Sequence, residues 1–202
     1  MVSNDSKSTL LLATRNSHKA DEFRLFLASD SLQILDLSAF PNAPMVDETA
    51  SSLKGNATLK ALSAQAHTGL WSLSDDTGLF IDALHGQPGV HSARFAGKSA
   101  DSKANRSLVL DLMANTSNRE AKFMTILALA LSDEIHYFEG HLMGRIARSP
   151  MSTQGFGYES IFIPDGFNIS LAELSKQDKN QISHRGKSAV LLKQFIDQLL
   201  KQ

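Results

Sequence analysis

The chain of 202 residues carries 20 Lys+Arg against 21 Asp+Glu, a net charge of −1, with 42% hydrophobic residues and no cysteine. That is enough apolar chain for one core of ordinary size, at most divided into two lobes, and the balanced charge supplies no field that draws a protein to nucleic acid or to an anionic membrane. Disulfides, thiolate metal sites and a cysteine nucleophile are excluded, so any metal must rest on oxygen or imidazole ligands.

Residues 1–7 are polar and small and do not read as a signal peptide. The longest apolar stretches, such as Ile126 to Leu131, fall far short of the roughly 20 residues a membrane helix needs. The expectation is a soluble cytoplasmic protein with no membrane or nucleic-acid partner, folded as a single domain over 1–202. Thr9 to Ala13 is a short apolar run that predicts a buried strand, ending at the polar Thr14-Arg15-Asn16-Ser17. From Ser17 the period changes. Phe23, Phe26 and Leu27 lie at helical spacing, with Ser17 as the expected N-cap.

Leu32 to Leu37 predicts a second strand, and Pro41 and Pro44 keep the following segment, up to Glu48, out of a helix. Ser52 to His67 predicts a helix stopped by Gly69. Trp71 to Asp75 and Leu79 to Ala83 read as two strand pieces separated by a turn at Asp75-Asp76-Thr77-Gly78. Ser102 to Met113 predicts a helix, and Lys122 to Leu131 with Ile135 to Ile146 an antiparallel hairpin. The chain closes on an amphipathic helix, Lys187 to Leu200, with an apolar face of Val190, Leu191, Phe195, Ile196 and Leu199. Strands interleaved with helices, plus one hairpin, make the fold class α/β with a mixed sheet flanked by helices.

Three polar loops carry groups suited to phosphate or a divalent metal. Thr14 to Lys19 opens a helix, where free N–H groups and the helix dipole favour an anion and Lys19 adds a charge; a capped helix with a solvated lysine accounts for the same residues. Asp75 and Asp76 follow a strand and suit a hard cation completed by water and substrate phosphate. Adjacent strand residues point to opposite faces, so both acids serve one site only if the backbone turns there, which Gly78 favours; the alternative is an acidic surface turn. The loop Gly155-Phe156-Gly157-Tyr158-Glu159 offers glycines for close backbone approach and a ring for a flat base, or a structural turn with packed aromatics. Lys179 and Ile182-Ser183-His184-Arg185-Gly186 precede the last helix and add two cations and an imidazole. A Walker lysine loop, a zinc-binding His-Glu-x-x-His and a Gly-x-Ser-x-Gly elbow are all absent from the sequence.

Taken in order, Ala13 to Lys19 with Glu22, Asp75 to Leu79 running into Gly86 to Gly97, Gly155 to Glu159, and Ser183 to Gly186 resemble the Ham1/RdgB family, the inosine-triphosphate (dITP/XTP) pyrophosphatases. The resemblance runs from about Leu10 to Leu200. It implies a two-lobed α/β fold with a twisted mixed sheet, a nucleotide groove between the lobes, a homodimer, and magnesium-assisted hydrolysis of non-standard purine triphosphates (ITP, dITP, XTP) to the monophosphate and pyrophosphate. Carried over residue by residue, it implies that Thr14, Arg15, Asn16, Ser17, His18 and Lys19 hold the triphosphate with Lys60, and that Asp76 binds Mg2+ with Glu48 and accepts the proton. Asp75 and Lys19 join the catalytic set, and Thr77, Phe156, Gly157, Tyr158, Glu159, Lys179, His184 and Arg185 join the substrate site.

This chain departs from the family pattern at Thr77, where Ser is usual, at Glu159, where Asp is usual, and at His91 and Phe95, where Tyr is more usual. Two alternatives accompany the reading: a dTTP/UTP pyrophosphatase of the related Maf type, and a non-catalytic nucleotide-binding domain. The Ser183-His184-Arg185 segment favours the purine family, and the presence of Glu48, Asp75, Asp76 and Lys19 favours turnover.

Overall fold

The computed structural model describes residues 8–97 and 101–201. Its elements are β1 (Ser8–Leu12), α1 (Ser17–Phe26), β2 (Leu32–Asp36), α2 (Leu53–Thr68), β3 (Trp71–Ile81), β4 (Pro88–Gly89), α3 (Ser102–Leu112), β5 (Glu120–Ala130), β6 (Ile135–Ile146), β7 (Phe162–Pro164), α4 (Lys176–Ile182) and α5 (His184–Leu199), with short 3-10 turns between. The strands form one mixed sheet in the order β2-β1-β3-β5-β6-β7, with β4 on β3. β1 runs parallel to both β2 and β3, whereas β4 and β7 are antiparallel to their partners. This is the expected α/β class, a mixed sheet flanked by helices. Among the described residues no helix is long and apolar enough to cross a membrane.

The chain divides into two compact units. The first holds the described residues up to Asp76, Ile126–Glu139, and those from Ser188 onward. Its layering follows from the parity of one strand. Leu10 and Leu12 point to one face, with Phe23 and Leu27 of α1, Leu73 of β3, and Leu192 and Ile196 of α5. Leu11 points to the other, with Ala64 of α2 and the partly buried Leu35, Leu37 and Phe40. Each of these fully buried leucines contributes about 1.5–3 kcal/mol by leaving water. Helix α2 is bounded as its sequence predicts: Ser52 Oγ accepts the Gly55 N–H at 3.1 Å, and Gly69 takes the left-handed conformation, φ 70°, that ends it. The hairpin closes through Leu131 N–H to the Glu134 carbonyl, 2.9 Å.

The second unit comprises Thr77–Thr125 and Gly140–Lys187. Its core joins Leu79 and Ile81 of β3, Val109 of α3 with Met113, Phe123 of β5, Leu142 and Ile146 of β6, and Phe162 of β7. Asp101 caps α3 by accepting the N–H groups of Lys103 and Ala104.

Four expectations need correction. The N-cap of α1 is Asn16 rather than Ser17, because the Asn16 Oδ1 reaches the free Lys19 N–H at 3.2 Å. β3 runs unbroken through Asp75 to Gly78, with no turn. Gly78 is there for space: a Cβ would lie 2.5 Å from the Gly89 carbonyl oxygen of the paired β4. The last helix starts at His184, not Lys187, since Ser183 Oγ accepts the Gly186 N–H at 2.9 Å and opens it. Its buried stripe is Ala189, Leu192 and Ile196, while Val190 and Leu191 are exposed. Helix α4 and strand β7, too short to show periodicity, went unpredicted.

Candidate active site

The parity of β3 sorts its polar residues as it sorts its leucines. Leu73 faces the α1 layer, so Asp75, two residues on, faces it too, and Lys19 of α1 meets it: Nζ lies 3.0 Å from Oδ1 and 2.9 Å from Oδ2. Ser74 and Asp76 face α2. The Ser74 hydroxyl donates to the Ala57 carbonyl, and Asp76 Oδ2 accepts the side-chain amide of the fully buried Asn56 at 3.2 Å. The turn expected to bring the two acids together is not needed. Lys60, one helical turn beyond Asn56, ties both positions by donating to the Asp75 backbone carbonyl at 2.7 Å and standing 3.6 Å from Asp76 Oδ1. Its third contact is Glu48 Oε1, at 2.7 Å.

Burial raises the pKa of Asp76; the charge of Lys60 and the Asn56 hydrogen bond oppose that shift, and Glu48 and Asp75 add to it. Burial alone would lower the pKa of Lys60, but the carboxylates of Asp75, Asp76 and Glu48 more than offset it and leave its ammonium held above the usual lysine value. Within this unit two ammonium groups, Lys19 and Lys60, face three carboxylates, Glu48, Asp75 and Asp76.

A cavity of about 250 Å3 is lined by Thr14, Arg15, Lys19, Glu48, Lys60 and Asp75 together with the apolar 43–46 segment. Arg15 reaches across to donate to the Ala43 carbonyl at 2.7 Å, which fastens that segment. Asn16 and Ser17 line a second cavity of about 440 Å3 beside Asp36 and Ser38, with Thr14 and Arg15 shared. Thr14 Oγ1 accepts the Asn16 N–H at 3.1 Å. The side chain of His18 lies outside the described residues.

Among the described residues no group of three or more His, Cys, Asp or Glu is placed to hold a metal ion. Glu48 and Asp76 nevertheless fit magnesium by their chemistry. They are hard carboxylate donors on either side of Lys60, Glu48 lines the cavity, the cluster of three carboxylates and two ammonium groups carries one negative charge in excess, and magnesium takes its remaining ligands from water and phosphate.

The second unit assembles its own set. Phe156 is half exposed, between Gly155 at φ 82° and Gly157 at φ 56°. Glu159 turns inward and is buried: Oε2 accepts the Phe156 N–H at 3.2 Å, and Lys179 Nζ lies 3.0 and 3.3 Å from its two oxygens. Gly155 is required here, since a Cβ would sit 2.8 Å from that carboxylate. The Lys179 ammonium also stands 5.2 Å from the centroid of the Phe156 ring. The Tyr158 hydroxyl donates to the Ser92 carbonyl at 2.7 Å, and burial pushes its pKa up so that it stays a donor.

His184 and Arg185, expected before the last helix, are in its first turn and buried, with the His184 ring stacked on Phe123 at 4.8 Å. Thr77 shares its hydroxyl with Thr125 at 2.6 Å. Sequence reasoning missed Asn56, although its place four residues before Lys60 on α2 was a usable signal. Arg106 of α3, whose Nη1 donates to the Gly157 carbonyl at 2.7 Å, carries no local sequence signal of that contact.

The Ham1 family model matches residues 10–195. The dITP/XTP pyrophosphatase of Lactiplantibacillus plantarum is 44% identical over 180 residues, 88% of this chain and 89% of that protein, and that of Porphyromonas gingivalis is 40% identical over 188 residues, 93% and 96%. Among solved structures, a HAM1 protein from Coxiella burnetii superposes with a TM-score of 0.89 at 36% identity, covering 95% of this chain and 99% of that one. The Staphylococcus aureus Ham1 protein gives 0.87 at 32% identity, covering 94% and 98%. With the family model matched over residues 10–195 and relatives of 40% and 44% identity shared over nearly the whole length, the chain belongs to the Ham1 family.

Proposed function

We propose that this protein hydrolyses non-standard purine nucleoside triphosphates (ITP, dITP and XTP) to the monophosphate and pyrophosphate. The observation that carries the reading is Asp76: a buried carboxylate whose pKa burial raises, fixed by Asn56 and faced by Lys60, in a chain similar over most of its length to dITP/XTP pyrophosphatases. A carboxylate shifted toward neutrality is a better proton acceptor than an exposed one.

In this reading Thr14 to Lys19 and Lys60 bind the triphosphate, and Asp75 holds Lys19 in position for it. Asp76 takes a proton from the water that attacks the α-phosphorus; the bond from that phosphorus to the bridging oxygen breaks, and pyrophosphate leaves with the bonding pair. Lys19 and Lys60 neutralise charge that develops on the phosphate oxygens. Glu48 and Asp76 would hold Mg2+, which when bound polarises the phosphate oxygens. Phe156 stacks on the purine, and the 156–159 backbone with Lys179, His184 and Arg185 selects a 6-keto group over an amino group. Residues 1–202 act as one catalytic domain, and the working form is a homodimer.

A panel of ITP, XTP, GTP, ATP, dTTP and UTP with separate detection of pyrophosphate and orthophosphate, with and without magnesium, tests the reading. Single-cut pyrophosphate release from ITP and XTP is expected. Preference for dTTP or UTP, or stepwise orthophosphate release, would overturn it.

A further inference from the structure

We infer that Arg106 is a positioning residue for purine selection, acting through the Gly157 carbonyl that its guanidinium holds; the inference rests on the role proposed above for the 155–159 loop. Arg106 is half-buried on α3, and its Nη1 donates to the Gly157 carbonyl at 2.7 Å. The loop needs such a fastening. Its two glycines both have positive φ, and glycine passes easily between positive and negative φ. A Cβ built on Gly157 would meet nothing within 4 Å, so packing does not confine this residue, and the Phe156 ring is 51% exposed, so burial does not confine the ring.

Hydrogen bonds therefore set the conformation. Glu159 fixes the Phe156 N–H, the Tyr158 hydroxyl fixes the far end against Ser92, and Arg106 holds the glycine between them. A trans peptide is planar, so its C=O and the next N–H point in opposite directions. By pinning the Gly157 carbonyl toward α3, Arg106 aims the Tyr158 N–H away from α3 and fixes the path of the chain just after Phe156.

The anchor is itself firm. The adjacent Asn105 is buried, donates to the Ala93 carbonyl at 3.0 Å, and accepts the Ala96 N–H at 2.6 Å, so α3 does not shift to follow the loop. A half-exposed arginine that bonds a glycine unconfined by packing does little for global stability. It does a great deal for the precision of a base platform, which must be held by rigid elements to discriminate.

The test compares full-length wild type, Arg106→Ala and Arg106→Lys in steady-state kinetics on ITP and ATP, with inhibition by inorganic tripolyphosphate as a base-free probe. Arg106→Ala should raise KM for ITP about tenfold and lower the ITP-over-ATP efficiency ratio by a similar factor, the loss of one charge-assisted hydrogen bond. Its kcat should stay within about threefold, its tripolyphosphate inhibition constant should not move, and Arg106→Lys should recover part of the ratio. Unchanged KM and ratio in Arg106→Ala would overturn the inference. So would a parallel fall in kcat and tripolyphosphate binding, which marks general disruption. A wild type with no preference for ITP over ATP would refute the base-selection reading itself, and this inference with it, before any variant is compared.

Discussion

Replacing Asp76 by Asn should move activity and stability in opposite directions. The Asp76 side chain is 12% exposed, and because burial raises its pKa, the folded state disfavours the ionised form relative to the unfolded chain. At neutral pH the ionised group therefore subtracts from stability, and a neutral isostere removes that cost. The substituted side chain keeps a carbonyl oxygen able to accept the Asn56 amide, now 3.2 Å from Oδ2. Lys60 loses its neighbour at 3.6 Å but keeps Glu48 and the Asp75 carbonyl, both at 2.7 Å, so its own placement survives. The expected gain is about 0.5–2 kcal/mol, of the size common when a functional group is replaced by one suited only to folding. Loss of the proton acceptor lowers kcat by about 10²–10⁴-fold. Urea unfolding in the presence of a chelator, which keeps metal binding out of the comparison, measures the first, and pyrophosphate release from ITP measures the second. A variant that loses stability along with activity, or keeps turnover within about tenfold of wild type, refutes the reasoning.

Asn56→Ala should cost about 2–3 kcal/mol in urea unfolding, because it strips both the Asp76 carboxylate and the Ala50 N–H, 2.9 Å from Asn56 Oδ1, of a buried partner. Asp36 has its pKa lowered by hydrogen bonds from Ser38 and by Arg24, so the stability it contributes is present above the unfolded value of about 3.9 and lost as pH falls through the lower folded value. Asp36→Asn should accordingly be less stable than wild type at pH 7 by under about 1 kcal/mol, a gap that closes in melts run below about pH 4. Gly186→Ala would place a Cβ 2.0 Å from the Asn180 carbonyl oxygen at the junction of α4 and α5 and should cost about 1–3 kcal/mol in thermal or urea unfolding.

What was legible in the sequence was what neighbouring residues decide. The run Leu10-Leu11-Leu12 announces a strand buried on both faces, and Ser52 with Gly69 brackets α2 by local capping chemistry. The misreadings share one cause, a residue whose conformation is set by a distant partner. Asp75, Asp76 and Gly78 are poor strand formers taken alone. They stay extended because Lys19 and Asn56 meet the two carboxylates and Gly89 packs where Gly78 leaves room. Gly186 looks like a helix breaker before Lys187, yet it lies inside α5, where the passing Asn180 carbonyl and the Ser183 hydroxyl leave no room for a side chain. Glu159 and Lys179 are marked in the sequence as candidate site residues but not as each other's partners, since nothing in a linear chain says that a carboxylate will fold back on its own loop.

The unbroken course of β3 also changes how the paired acids divide their work. Had the backbone turned at Asp75-Asp76, the two carboxylates would have shared one environment and could have substituted for one another. Strand parity instead commits Asp75 to the α1 layer, where both its oxygens meet Lys19, and Asp76 to the α2 layer, where an amide and a second lysine meet it. Each acid thus has its own nearest ammonium, Lys19 for Asp75 and Lys60 for Asp76, while the charge of Asp75 also acts on Lys60. Lys60 still senses the position of Asp75 through the backbone carbonyl, so a shift of the strand moves both ammonium groups at once. A two-residue period is enough to separate the carboxylate paired with Lys19 from the one held by Asn56 and faced by Lys60, which in the proposed reaction are a positioning group and a proton acceptor, and a slip of a single residue along β3 would exchange their partners.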